Sequence, residues 1–267
     1  MKAMLTTILA VLALILSPFT KAEAHEYGVS EQCDVNINAE LNVAEDLMTI
    51  TLDNGDILKI NAQGDTWKNG SQLSLNSAQR SLTQQYYSDI KALVPDAIEL
   101  ASDAIAVTNT ALTKVLNGLF GENNSMVQSL SETLSEIETE LRDAIYQPDG
   151  SMQFGKAIFA EEGSFSKSLN TKIDSAVEEL MAEAMGQMFV VIGKAMMSGD
   201  TDLADFETRM ENLGEELEQE IEVESAKIES SAKRLCDSLE VIDNTENALQ
   251  KYSDFSKLDL VKLNQRT

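Results

Sequence analysis

The chain has 267 residues, of which 45 are acidic and 20 are basic, and its formal net charge is −25. A charge of this sign repels nucleic-acid phosphates and anionic lipid headgroups, so we expect no nucleic-acid partner. Hydrophobic residues make up 43% of the chain, which is typical of a folded protein rather than of a disordered one.

Residues 1–24 have the pattern of a cleavable signal peptide. Lys2 supplies a positive charge, the apolar run 4–16 follows it, and the small residues Ala22 and Ala24 frame a cleavage site. The run is shorter than the about 20 residues that a membrane-spanning helix needs, which argues against the alternative of a retained anchor. We therefore predict an exported chain that keeps no integral membrane segment after cleavage.

The two cysteines, Cys33 and Cys236, both follow the predicted cleavage site. In an oxidising compartment an even number of cysteines predicts a disulfide bond, here between these two residues. The alternative is a pair of reduced cysteines packed as small apolar side chains. Because they are not a CxxC pair, we expect no redox activity.

Residues 25–75 predict a small β-rich subdomain. The β-rich run 47–60 is divided by the turn Asn54-Gly55, which is a strong signal for a hairpin. The turn Asn69-Gly70 predicts a second hairpin, and the alternation from Cys33 to Ile37 predicts a further strand. The resulting antiparallel meander is too small to be stable alone, so we expect it to pack on helices.

Residues 76–199 predict a helical region. Asn76 and Gln79 have the spacing of a capping box and begin a helix that we expect to end at Pro95. A second helix is predicted over residues 96–120.

Two more helices are predicted in this region, one from Asn123 or Ser125 to the Pro148 break and one from Phe165 to Met197. The segment 151–160 between them has no clear helical period, and its apolar residues alternate as in a short strand.

Residues 200–243 predict a long acidic helix, and residues 244–267 form a C-terminal tail. The apolar residues of the helix recur in steps of three and four for about 40 residues, or about 60 Å. Such a helix is expected to pack along others as in a coiled coil. The fold class predicted is α+β and helix-dominated, with a small antiparallel meander packed on an elongated helical bundle.

Several motifs resemble one known family. The run Leu73-Ser74-Leu75-Asn76-Ser77-Ala78-Gln79-Arg80, followed by Leu93-Val94-Pro95, is similar to the YggN-like family of uncharacterised Gram-negative periplasmic proteins. Ala184-Met185-Gly186 and the positions of the two cysteines are similar as well. The resemblance implies a periplasmic location and a domain of unknown function, and it brings no catalytic residue. The strong acidity and the tail after Ile242 depart from the family pattern.

Histidine is nearly absent from the chain. The single one, His25, would be the first residue after cleavage. Catalysis that uses an internal imidazole as a base is therefore excluded, as are zinc sites built on several histidines. An N-terminal histidine that binds copper is the alternative to an ordinary mobile terminus. The sequence has no Gly-rich phosphate loop, so we predict no cofactor, no metal and no catalytic residue.

The long helix carries a run of carboxylates between Arg209 and Lys227 that includes no basic residue. Weak binding of calcium or magnesium is one interpretation, because carboxylate oxygens suit these ions. We favour the other, a solvated helix face.

A methionine-rich face is the main candidate for a function. Met181, Met185, Met188 and Ile192 share one side of the fourth helix. Methionine side chains repack easily, so this side could accept varied partners. Thioether binding of copper(I) is a second interpretation. A buried core helix is the third and is favoured, because the apolar run that begins at Phe189 widens the face.

These patterns predict a non-enzymatic periplasmic interaction protein, chaperone-like or associated with the envelope, whose partners are other envelope proteins. The alternative is a binding protein for a lipid, a small hydrophobic ligand or a metal cation. An enzyme that uses only carboxylates, Tyr or Lys ranks third.

Overall fold

The structure is a computed structural model that describes residues 35–122, 124–198 and 201–263. Within these ranges the side chains of residues 188, 190–192, 194–198 and 201–222 are outside the description. The predicted signal peptide and Cys33 both lie outside the described residues.

An antiparallel sheet forms the N-terminal part of the fold. Its strands are β2 Ala39–Val43, β3 Leu47–Leu52, β4 Ile57–Asn61, β5 Thr66–Lys68, β6 Ser71–Gln72 and β7 Met152–Gly155. Their order across the sheet is β6-β5-β4-β3-β2-β7. A separate pair joins β1, Val35–Ile37, to β8, Val261–Leu263.

Both predicted Asn-Gly hairpins are present. The β3–β4 hairpin turns at Asn54-Gly55, and β5 pairs with β6 across Asn69-Gly70. Asn69 has a φ of 50° and Gly70 a φ of 83°. A two-residue hairpin turn of type I′ needs positive φ at both positions, which is why Asn-Gly is favoured there.

The first long helix, α1, spans Ser77–Phe120 without a break. The predicted capping box is confirmed, since the side chains of Asn76 and Gln79 bond each other's backbone N–H groups. The predicted end at Pro95 is wrong. Pro95 is exposed, while Val94 and Ile98, about a quarter turn away around the helix, are buried. The burial of residues just before and just after the proline therefore offsets the roughly 3 kcal/mol that a proline costs inside a helix.

Three helices, of which the second is a single short turn, lie between α1 and the last helix of the chain. They are α2 Ser125–Ile145, α3 Lys156–Phe159 and α4 Ser164–Ser198. The N-cap of α2 is Asn124, whose side chain accepts the N–H of Val127. The strand β7 lies between α2 and α3, where residues 151–160 had an alternating pattern.

The last helix, α5, spans Thr201–Leu249 and packs along α1. It continues six residues beyond position 243, where we predicted its end. A 3-10 turn at Ser253–Phe255 and the strand β8 follow it. The segment after the helix is therefore part of the core, with Phe255, Leu258 and Leu260 buried.

The core lies between the sheet and the pair of helices α1 and α5. Alternate residues of β2, β3 and β4 are buried, among them Leu41, Ile50 and Ile60. They form one cluster with residues of the two helices, such as Ile90 and Ile242. The α+β, helix-dominated fold class is confirmed.

Candidate functional site

The helix α4 is fixed to the rest of the molecule along one side. Phe165, at its start, packs edge to face on Phe159 with ring centroids 5.8 Å apart. Further along, Lys172 Nζ donates to Glu136 Oε2 of α2 at 2.6 Å. Near the middle, the Ser125 hydroxyl of α2 donates to the Glu183 carboxylate. The first contact holds the start of α4 against α3, and the other two hold it against α2 from Lys172 to Glu183.

The opposite side of α4 carries large apolar side chains that face solvent. Met181 is 43% exposed, Met185 56% and Phe189 76%. Steps of four residues advance an α-helix by slightly more than one turn, so the three side chains lie on one side of it. We call this set the apolar face of α4.

The exposure of the apolar face bears on whether the methionine-rich side of this helix is core or surface. Two of the four predicted residues, Met181 and Met185, are exposed, which contradicts the favoured interpretation of a buried core at these two positions. The side chains of Met188 and Ile192 lie outside the described part of the chain. Phe189, at the start of the apolar run that favours burial, is instead the most exposed of the three residues of the face.

Acidic residues border the apolar face on its N-terminal side. Asp174 and Glu178 are exposed, and their four-residue spacing continues the same side of the helix towards Met181. No basic residue occurs between Lys172 and Lys194. The border of the face is therefore negatively charged.

A second cluster, which we call the carboxylate clasp, lies in the core. Glu246 of α5 is 1% exposed and Tyr86 of α1 is fully buried. The Tyr86 hydroxyl donates to Glu246 Oε1 at 2.5 Å, and the backbone N–H groups of Leu260 and Val261 donate to the same carboxylate at 3.2 and 3.3 Å. One side chain thus joins α1, α5 and the start of β8.

Burial decides the protonation of the clasp. It raises the pKa of Glu246 from 4.5 to about 8, although the three hydrogen bonds act in the opposite direction. The negative charge of the nearby Asp259 is a smaller cause of the same rise in the pKa of Glu246. Burial and the neighbouring Glu246 also raise the pKa of Tyr86 well above its ordinary value. Since the group has no access to solvent, we assign the clasp a structural role.

Sequence reasoning missed the clasp, but a signal was present. The buried stripe of α5 includes Leu239, Ile242 and Leu249, and Glu246 falls in the same series of three- and four-residue steps. A charged residue on an apolar stripe indicates a buried polar contact.

The two remaining predicted features are the cysteine pair and the acidic run of the long helix, and the described residues show only part of each. Cys236 is half-buried on α5, and its pairing with Cys33 stays a prediction. Of the acidic run, Glu224 is described and accepts a 2.6 Å hydrogen bond from Lys227. Among the described side chains, no group of three or more His, Cys, Asp or Glu residues is arranged to hold a metal ion.

Within the part of the chain that the structure describes, no helix combines the length and the apolar character that crossing a bilayer requires.

Comparison with known proteins identifies relatives over most of the chain. The model of the family described as "Protein of unknown function (DUF2884)" matches residues 33–261. The "Uncharacterized protein YggN" of Escherichia coli strain K12 is 22% identical over 219 residues, which cover 82% of this chain and 89% of that protein. The proteins of the same name from the O6:H1 strain CFT073 and from O157:H7 match with the same identity and coverage. No solved structure matches the chain.

Proposed function

We propose that this chain, which belongs to the DUF2884 family of proteins of unknown function, is a non-enzymatic interaction protein of the periplasm. It would act as a chaperone-like or envelope-associated protein. The observation that carries the proposal is the apolar face of α4, where Met181, Met185 and Phe189 point to solvent in one row.

A single exposed apolar side chain is ordinary, but a contiguous row is typical of interaction sites. Methionine adds adaptability, because its unbranched side chain can repack against partners of different shape. The net charge of −25 would keep both the protein and an apolar partner in solution. These properties together suit reversible contact with other proteins.

The proposed periplasmic location depends on the N-terminal segment and on the two cysteines. Residues 1–24 have the pattern of a signal peptide, and the proposed Cys33–Cys236 bond would form only in an oxidising compartment. The proposal that the protein is not an enzyme depends on the missing internal histidine and on the missing phosphate loop.

The test is suppression of aggregation. The full chain is expressed with its own N-terminal segment, purified from the periplasm and mixed with citrate synthase diluted from denaturant. This client aggregates and scatters light without a reductant that would cleave the proposed disulfide bond. We expect the wild type to suppress scattering near equimolar ratio. The triple variant Met181→Ser, Met185→Ser, Phe189→Ser is expected to lose most of this effect.

A matched control removes the same number of exposed apolar side chains elsewhere. Ile57, Val223 and Val241 are 39%, 58% and 45% exposed and are scattered over β4 and α5. The variant Ile57→Ser, Val223→Ser, Val241→Ser should suppress scattering as the wild type does. Equal loss in both triple variants, or no suppression by the wild type, would contradict the proposal.

A further inference from the structure

The charges around the apolar face of α4 indicate what kind of partner it accepts. Asp174, Glu178, Met181, Met185 and Phe189 follow each other in steps of four, three, four and four residues. They form one stripe of about 22 Å along the helix, acidic at its N-terminal end and apolar at its C-terminal end. All five residues are exposed.

The segment of α4 that carries the stripe contains no basic residue that could neutralise it. Residues 173–193 contain no Lys, Arg or His. Lys172, just before them, already bonds Glu136 at 2.6 Å and lies 3.9 Å from Glu140. Lys167, earlier in the helix, is likewise paired with Glu162. Among the described side chains, the acidic end of the stripe is therefore open to a cation supplied by a partner.

Three candidate partners of the stripe differ in their electrostatic interaction with its acidic end. A second copy of the chain would bring another net charge of −25 and its own acidic stripe, so repulsion opposes self-association. A membrane with anionic lipids is repelled for the same reason. A helix with one apolar side and basic residues beside it matches both ends of the stripe, because its apolar side covers the methionines and its cations reach Asp174 and Glu178.

We propose that the apolar face of α4 and its acidic border bind a basic amphipathic helix of another protein. The inference deepens the proposed function, on which it depends, by naming the chemical class of partner. A bound segment of about 15 residues would cover the stripe, with apolar residues at helical spacing and at least two Lys or Arg residues near Asp174 and Glu178.

The test uses three synthetic helical peptides of 16 residues with the same Leu and Phe side. Their polar side is Lys in the first, Gln in the second and Glu in the third. Binding of each fluorescein-labelled peptide to the full chain is followed by fluorescence anisotropy at 50 and 300 mM NaCl. We expect the Lys peptide to bind at least tenfold more tightly than the Glu peptide at low salt, with the Gln peptide between them.

Two variants assign the binding to the stripe. The triple variant Met181→Ser, Met185→Ser, Phe189→Ser should bind the Lys peptide at least tenfold more weakly than the wild type at both salt concentrations. The pair Asp174→Asn, Glu178→Gln should weaken this binding about three- to tenfold at 50 mM NaCl and little at 300 mM, which is the size of two exposed ion pairs.

A control pair separates the stripe from the general acidity of the chain. Glu99 and Asp103 are exposed on α1 with the same four-residue spacing as Asp174 and Glu178. The variant Glu99→Gln, Asp103→Asn should leave the affinity for the Lys peptide within twofold. An equal loss in both pairs would overturn the inference, because the peptide would then be attracted by net charge alone.

The outcomes also distinguish this inference from the function on which it depends. If the three peptides bind equally and the serine variant weakens all of them, the basic partner is wrong and the apolar face remains an interaction surface. If the serine variant weakens none of them, both proposals fall.

Discussion

The carboxylate clasp should make the stability of the fold depend on pH. Glu246 has a pKa of about 8 when folded and an ordinary value of 4.5. Below pH 4.5 the group is protonated in both the folded and the unfolded chain, and its contribution to stability is fully present. Between pH 4.5 and 8 the unfolded chain loses the proton while the folded chain keeps it. The free energy of unfolding therefore falls as the pH rises through this window.

The size of the effect follows from the pKa values. Each pKa unit is worth about 1.4 kcal/mol, so the whole window corresponds to about 5 kcal/mol. Such a loss is a large fraction of the stability of an ordinary domain, which is about 5–15 kcal/mol. Burial also raises the pKa of Asp243, one turn earlier, and this group acts in the same direction. Because both groups affect the wild-type curve, the contribution of Glu246 to the pH dependence of stability must be measured as the difference between the wild type and a variant at this position.

The variant is Glu246→Gln, which keeps a carbonyl oxygen for the Tyr86 hydroxyl and does not titrate. Its amide would face the Val261 N–H, a repulsion of about 1–3 kcal/mol that is the same at every pH. Equilibrium unfolding in urea, followed by far-ultraviolet circular dichroism from pH 4.5 to 8.5, gives both stability curves. The wild type should lose up to about 5 kcal/mol relative to the variant across this window.

A control variant, Glu229→Gln, removes an exposed carboxylate from the same helix. Its curve should run parallel to that of the wild type. The reasoning is refuted if the Glu246→Gln curve is also parallel to the wild type, because Glu246 would then bind the same number of protons in the folded and the unfolded chain.

Two further predictions concern the backbone and the export of the chain. Gly64 has a φ of 80° and a Cβ there would lie 2.4 Å from a backbone oxygen of α1, whereas Gly70 has a φ of 83° and open space around it. Gly64→Ala should therefore lower the urea midpoint clearly more than Gly70→Ala, and equal losses would contradict the close approach. We also expect protein purified from the periplasm to lack residues 1–24 by mass spectrometry and to react with a thiol reagent at Cys33 and Cys236 only after reduction; a full-length chain with reactive thiols would exclude the proposed export and disulfide.

Local signals in the sequence predicted local structure well. The turns Asn54-Gly55 and Asn69-Gly70 and the capping box at Asn76 each depend on a few neighbouring residues, and all three are present. The period of the helices α2 and α4 was also sufficient to locate them. Such features need no information about distant parts of the chain.

Features that depend on distant contacts were missed. We did not predict β2, although Ala39, Leu41 and Val43 alternate, because its neighbours include β7, more than a hundred residues away. Pro95 seemed to end a helix because its penalty is local, while the packing that outweighs it comes from the sheet and from α5. The exposure of Met185 could not be read from periodicity, since an apolar stripe is equally regular whether or not another element covers it.

The contacts of α4 separate its stability from its proposed binding role. The side that faces α2 carries the hydrogen bonds of Lys172 and Glu183, and the aromatic contact of Phe165 fixes its beginning. The exposed side chains of Met181 and Met185 belong to neither set of contacts. Met181 is 43% and Met185 56% exposed, so removing either side chain costs only part of the burial that a core residue contributes to folding. A loss of binding in a serine variant whose circular dichroism spectrum matches that of the wild type is therefore assigned to the missing contact with the partner rather than to a damaged fold.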